Sequence, residues 1–225
     1  MQTGYFITFE GIDGSGKSTQ LKRLAASLAA QGMQPVVTRQ PGGTAVGDRI
    51  RALLLDSRTE RLAAMTELGL MFADRAQSIA EIIGPALTEG RIVLCDRFTD
   101  STEAYQGGGR ELGSEVVLQL DATMCGGLKP DLTLLLMPDF DRALARARRR
   151  NERNAPKGGN EDRFEREGNA FFRRVFDKYM EIARREALRV VVVDGDRSIE
   201  QIHQGIVQVV EERLRSHGYH MPDHA

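Results

Sequence analysis

The chain predicts an α/β domain, a five-stranded parallel sheet with helices on both faces, from three observations. Five short apolar runs alternate with helical segments along the 225 residues. Several of those runs are almost continuously apolar, and a glycine-rich loop lies directly between the first run and the first helical segment. Alternating strands and helices build a parallel sheet, and strands covered on both sides lack the apolar–polar alternation of a half-exposed strand. Ligands in such sheets bind beyond the carboxyl ends of the strands, which directs attention to the residues after each run.

The first run, Tyr5–Phe9, leads into Gly11-Ile12-Asp13-Gly14-Ser15-Gly16-Lys17-Ser18-Thr19 and then a helical segment beginning Gln20-Leu21-Lys22-Arg23-Leu24-Ala25. The second, Pro35–Arg39, is followed by Gln40-Pro41-Gly42-Gly43-Thr44. A long helical segment carrying Leu70–Ala76 precedes the third, Ile92–Cys95, which runs straight into Asp96-Arg97. The fourth and fifth are Leu132–Met137 and Val190–Asp194. Before the fifth, Phe164, Phe171, Phe172, Val175, Tyr179 and Ile182 recur at three- and four-residue steps, one apolar helix face that reads as core rather than a base-stacking platform. The last helix shows Ile199, Ile202, Ile206, Val209, Val210 and Leu214 on one side, after Ser198 with Gln201 three residues on, the pattern of a capping box. No internal repeat is present. The biased stretch is 146–162, rich in Arg, Asn and Gly, and it reads as a mobile basic loop between two helices.

Residues 1–216 are expected to form a single domain and 217–225 a mobile polar tail. That tail carries His217, His220 and His224, but nothing in it fixes the geometry a metal site needs. Thirty-one basic residues against thirty-two acidic ones leave a net charge of −1, so no global field argues for nucleic acid or a membrane surface. No apolar stretch approaches the ~20 residues that span a bilayer, and no charged leader precedes a long apolar core. The expected setting is the cytoplasm. Cys95 and Cys125 form neither a metal-ligand pattern nor a disulfide framework and read as reduced, structural residues.

Gly11–Thr19 matches G-x-x-x-x-G-K-[ST], a phosphate-binding P-loop between strand and helix. Successive N–H groups surround the phosphates of a nucleoside triphosphate, Lys17 adds positive charge, and the Ser18 hydroxyl is a ligand for Mg²⁺. Gly14 and Gly16 suit a backbone that wraps an anion. Asp96, at the end of the third run, either holds Mg²⁺ opposite Ser18 or caps a turn. The run Asp96–Arg110 puts Arg97, Ser101, Thr102, Tyr105 and Gln106 within fifteen residues, a mixture that suits the phosphate, sugar and base of a nucleotide. A surface loop of accidental polarity is the plain alternative. Arg39 stands ready to clamp an anion. Phe72 and Arg75, three apart, share a helix face, where an aromatic and a guanidinium can stack on a base and donate to its carbonyl edge. Without other context they read as core and solvated charge.

Taken together, the P-loop with Asp13, the TR-[EQ]-PGGT segment, F-x-x-R, and above all D-R-x-x-x-S-T-x-A-Y-Q-G-G-G-R resemble bacterial thymidylate kinases, which phosphorylate dTMP to dTDP with ATP. The resemblance extends through the last strand and implies a P-loop NTPase fold with a mobile lid at about 146–163, ATP and Mg²⁺ as cofactors, and a homodimer. It implies that Arg39 and Arg97 bind the dTMP phosphate, and that Asp13 and Tyr105 surround the deoxyribose. Phe72 would stack on thymine, Arg75 would reach its O4, and Thr102 and Gln106 would lie near the base edge. A small residue at Gly14 implies that the catalytic arginine comes from the lid. Arg150 is the first candidate, with Arg146, Arg148 and Arg163 behind it, and Lys17, Arg97 and Asp13 complete the catalytic set. Two departures stand out: Gln40 replaces the usual glutamate, which removes a carboxylate able to orient Arg39, and the lid is lengthened through Asn151–Glu161.

Overall fold

Parallel pairing between runs far apart in sequence sets the architecture. The computed structural model describes residues 3–56, 62–142, 145, 163–164 and 167–221. Strands β1 (Tyr5–Glu10), β2 (Val36–Arg39), β3 (Ile92–Asp96), β4 (Leu132–Met137) and β5 (Val190–Asp194) form one sheet in the order β2-β3-β1-β4-β5. Every pairing is parallel, and the registers Phe9↔Asp96 and Arg39↔Asp96 bring the carboxyl ends of β1, β2 and β3 level. The sequence places each strand within one residue of its position. β2 begins after Pro35, whose nitrogen has no hydrogen to donate to a ladder.

The central strands β1 and β4 are buried along their whole length. β5 departs from expectation: it closes one edge of the sheet, and Val192 is 45% exposed. An apolar run is buried on both faces only where helices extend over that strand on each side.

Helices α1 (Lys17–Ala30), α2 (Ala45–Leu55), α3 (Ala64–Ser78), α4 (Gly84–Thr88), α5 (Thr99–Thr102), α6 (Ser114–Cys125), α7 (Asn169–Arg185) and α8 (Ile199–Ser216) surround the sheet. Side chains alternate along β1. Tyr5, Ile7 and Phe9 meet Leu21, Leu24 and Leu28 of α1 and Ile202, Ile206, Val210 and Leu214 of α8 on one face. Phe6 meets Ile83, Val93 and Phe98 on the other. α8 begins with the expected capping box, both halves formed between Ser198 and Gln201. The phenylalanine set is core, but α7 starts only at Asn169, so Phe164 precedes the helix.

Two π-helical turns interrupt the helical layer, Ile79–Ile83 between α3 and α4, and Glu103–Gly109 after α5. The second carries Tyr105 and Gln106 and packs against α7. Gly109 permits that approach, because a Cβ there would stand 2.5 Å from the Phe171 ring. Residues 217–221, expected in the tail, lie against the body: the His217 ring meets Tyr5 edge-on at 5.0 Å, the Tyr219 hydroxyl donates to Gly90 O at 3.0 Å, and Met221 is buried. His224 is outside the described residues. Cys95 and Cys125 are free thiols in the interior.

Candidate active site

The loop between β1 and α1 adopts the conformation its glycines allow. Gly14 and Gly16 have φ of 80° and 97°, in the left-handed region that other residues avoid. The chain then enters α1 at Lys17 with no side-chain cap, and first-turn amides have no carbonyl of their own helix to bind, an arrangement suited to an anion. Lys17 opens the helix and folds back, so that Nζ donates to Gly11 O and Ile12 O at 3.0 Å each. Burial, helped by the nearby Arg97 charge, lowers its pKa to about 8. The Ser18 hydroxyl donates to Asp96 Oδ2 at 2.6 Å. The pair expected to flank Mg²⁺ is thus brought together. Its hard oxygen donors fit an ion that takes one or two protein ligands and completes its shell with phosphate oxygens and water.

Arg97 lies at the centre of a second group. It follows β3 with φ 70°, an uncommon conformation for a residue with a Cβ. Its NH1 donates to Gly11 O at 3.1 Å, Ser101 Oγ at 3.0 Å and Tyr179 OH at 3.3 Å. Its NH2 donates to Asp13 Oδ1 at 2.8 Å and Tyr105 OH at 3.4 Å. The Tyr105 hydroxyl in turn donates to Asp13 Oδ2 at 3.4 Å, and burial pushes its pKa up. Asp13, Arg97, Ser101 and Tyr105, scattered over 93 residue numbers, converge on one cation beside the phosphate loop.

A third group gathers the residues assigned to the base. The Arg75 guanidinium carbon lies 4.8 Å from the Phe72 ring centroid and 5.0 Å from that of Phe98. Nε donates to Gln40 Oε1 and NH2 to Thr102 Oγ1, both at 2.8 Å; NH1 is buried with no hydrogen-bond partner among the described residues. Gln106 Nε2 donates to Glu67 Oε1 at 2.8 Å. Phe72 is 0% exposed and Arg75 2%, so stacking of a base on Phe72 requires that ring face to open.

The place of Gln40 corrects the sequence reading. Gln40 does not adjoin the Arg39 guanidinium but turns into the interior toward Arg75, because successive residues of an extended chain point to opposite sides. Arg39 stays in solvent and pairs instead with Asp48 at 3.3 Å. Asp48 also accepts from Gly43 N at 3.1 Å; that backbone bond first, and Arg39 second, hold its carboxyl below the usual carboxylate range.

Arg146, Arg148 and Arg150 lie outside the described residues. Arg163 is described and engages the body: Nε donates to Leu54 O at 2.5 Å and NH2 to Glu67 Oε2 at 2.7 Å.

Sequence reasoning passed over four buried groups. Glu67 receives Gln106, Arg110 and Arg163. Asp74 accepts from Gly42 N at 2.8 Å. Glu10 and Tyr179 contact Ser101, and Tyr179 also contacts Arg97. Glu10 carried one available signal, an acid closing an otherwise apolar strand. Tyr179 was masked by its place in an apolar helix stripe.

The chain is similar to known proteins over most of its length. A thymidylate kinase family model matches residues 9–206. The chain is 49% identical over 214 residues to a thymidylate kinase of Pelobacter propionicus, an alignment covering 95% of this chain and 97% of the relative. It is 46% identical over 211 residues to that of Geobacter sulfurreducens, covering 94% and 98%. Among solved structures, the crystal structure of thymidylate kinase from Ehrlichia chaffeensis superposes with a TM-score of 0.72 at 31% identity, covering 93% of this chain and 99% of that one. A phosphate loop at the end of β1 and similarity over most of the length of both chains lead to one conclusion: this chain belongs to the thymidylate kinase family.

Proposed function

We propose that the chain transfers the γ-phosphoryl group of ATP to the 5′-phosphate of dTMP, giving dTDP and ADP. The observation that carries this reading at the level of atoms is the reach of Arg97. One nitrogen touches Gly11 of the phosphate loop while the other meets Asp13 beside Tyr105, so a single cation stands between the donor loop and the acceptor group.

The chemistry asks for position and charge rather than a covalent intermediate. A phosphate monoester has its second pKa near ~6, so at neutral pH the acceptor is already nucleophilic and no general base is needed. Residues 11–19 cradle the triphosphate, and Lys17 leaves its two carbonyls for the phosphoryl oxygens. Arg39 and Arg97 bind the dTMP phosphate, Asp13 and Tyr105 border the sugar, and Phe72, Arg75, Thr102 and Gln106 receive the base. Ser101 steadies Arg97. Arg150 supplies transition-state charge from the lid, with Arg146 toward ATP. Ser18 and Asp96 would hold Mg²⁺ bound with ATP, which would supply charge neutralisation at the phosphates.

We place the enzyme in the cytoplasm as a homodimer; among the described residues no helix is long and apolar enough to cross a membrane. The test of function is ADP release from Mg·ATP with dTMP, dUMP, dCMP, dGMP, AMP and thymidine offered in parallel. A strong preference for dTMP is expected. Preference for another acceptor overturns the substrate, and no release with any acceptor favours a nucleotide-binding module without turnover.

A further inference from the structure

Glu10 closes the central strand and is 0% exposed. A carboxylate there is costly unless its oxygens are occupied. Oε1 accepts from the Phe98 amide at 2.7 Å. Oε2 accepts from the Ser101 hydroxyl and, at 3.0 Å, from the Tyr179 hydroxyl. All three donors border Arg97: Phe98 follows it in the chain, and Ser101 and Tyr179 accept from its NH1 at 3.0 and 3.3 Å.

Two physical consequences follow from this arrangement. The first concerns backbone. Arg97 sits at φ 70°, a strained conformation for a residue with a Cβ that persists only where neighbours enforce it. The Arg97 amide is fixed to Phe9 O at 3.0 Å on one side, and the Phe98 amide to Glu10 on the other. The second concerns polarity. Burial, and then Asp100, raise the Glu10 carboxyl above its usual range, while Ser101, Arg97 and the Phe98 amide pull it back; in its ionised form it only accepts, so it draws hydroxyl hydrogens toward itself and leaves oxygen lone pairs for the guanidinium. An amide in its place either turns its NH2 toward the two hydroxyls and reverses their polarity, or sets that NH2 against the Phe98 N–H.

We propose that Glu10 is a positioning residue for Arg97, setting both its left-handed backbone and the polarity of the Ser101–Tyr179 pair that aims its guanidinium at the acceptor phosphate. This rests on the assignment of Arg97 to the dTMP phosphate. Glu10 does not itself touch substrate; it acts through the two hydroxyls and the Phe98 amide.

The test is a double-mutant cycle with steady-state kinetics, calorimetric dTMP affinity and thermal melting. Glu10→Gln is expected to lower kcat/KM for dTMP by about 10- to 100-fold, the scale of a lost buried charged hydrogen bond, with KM for ATP within about twofold. In an Arg97→Ala background, where affinity is readable even without turnover, the same change is expected to weaken dTMP binding by less than about threefold. Tyr179→Phe keeps the ring and removes the hydroxyl, so it is expected to show the same dependence on Arg97 even if Glu10→Gln folds poorly. Equal losses with and without Arg97, or equal rises in KM for both substrates, reduce Glu10 to a structural role and overturn the proposal. Unchanged dTMP affinity in Arg97→Ala instead overturns the assignment of Arg97, a distinguishable failure.

Discussion

Phe72 has an observed packing role and a proposed stacking role, which a substitution must be designed to separate. Its ring is fully buried and in contact with Arg75, so removing it opens a cavity as well as taking away a stacking surface. Phe72→Ala is expected to cost about 3–5 kcal/mol of stability and to raise KM for dTMP, with KM for ATP nearly unchanged in the fraction that remains folded. Thermal melting and two-substrate kinetics read these separately. Equal rises in both KM values assign the residue to packing alone. The same scale shows what sequence could and could not reveal. Spacing put Phe72 and Arg75 on one face, as found. It gave no warning that Gln40 would hold Arg75 rather than Arg39, because side-chain direction just past a strand depends on where pairing ends.

At the scale of elements, local signals were the readable ones. The α8 cap is written in Ser198 and Gln201, and five apolar runs became five strands. Strand order was not readable, since pairing joins residues distant in sequence, and for that reason the exposed edge at β5 came as a departure. Nor was the role of Asp74, which ties α3 to the loop after β2 through Gly42 N. Burial raises the Asp74 carboxyl from 3.8 to about 6, outweighing the Gly42 bond and Arg75. The folded state therefore holds this proton more tightly than the unfolded chain between those values, and stability falls as pH rises through that window. Asp74→Asn keeps an acceptor for Gly42 and removes the titration. It is expected to flatten the pH dependence of unfolding between about pH 4 and 6, a difference on the order of 2 kcal/mol. Denaturant midpoints across that range check it, and an unchanged slope would mean that Asp74 titrates normally.

At the scale of the whole molecule, α3 packs against both α2 and α6, and this layer leaves apolar side chains in solvent: Val46 on α2, Met65 on α3, Leu118 and Met124 on α6. Isolated exposed apolar residues are ordinary, but several on adjoining helices suit the proposed homodimer. Sedimentation is expected to give about twice the 25.0 kDa chain mass, and Met65→Asp to shift the population toward that single mass. A wild-type monomer at micromolar concentration removes the dimer.

The Gly11 carbonyl oxygen accepts from Lys17 Nζ at 3.0 Å and from Arg97 NH1 at 3.1 Å, so one backbone atom is shared by the phosphate-loop lysine and the arginine proposed to bind the dTMP phosphate. The two positive charges are thereby kept side by side before any anion arrives. In the proposed reaction a triphosphate that draws Lys17 away would leave that oxygen to Arg97 alone, and a monophosphate that draws Arg97 away would leave it to Lys17. On that proposal the two substrates would be linked through a single lone-pair-bearing atom, and whatever factor one exerts on the affinity of the other must be returned in equal measure.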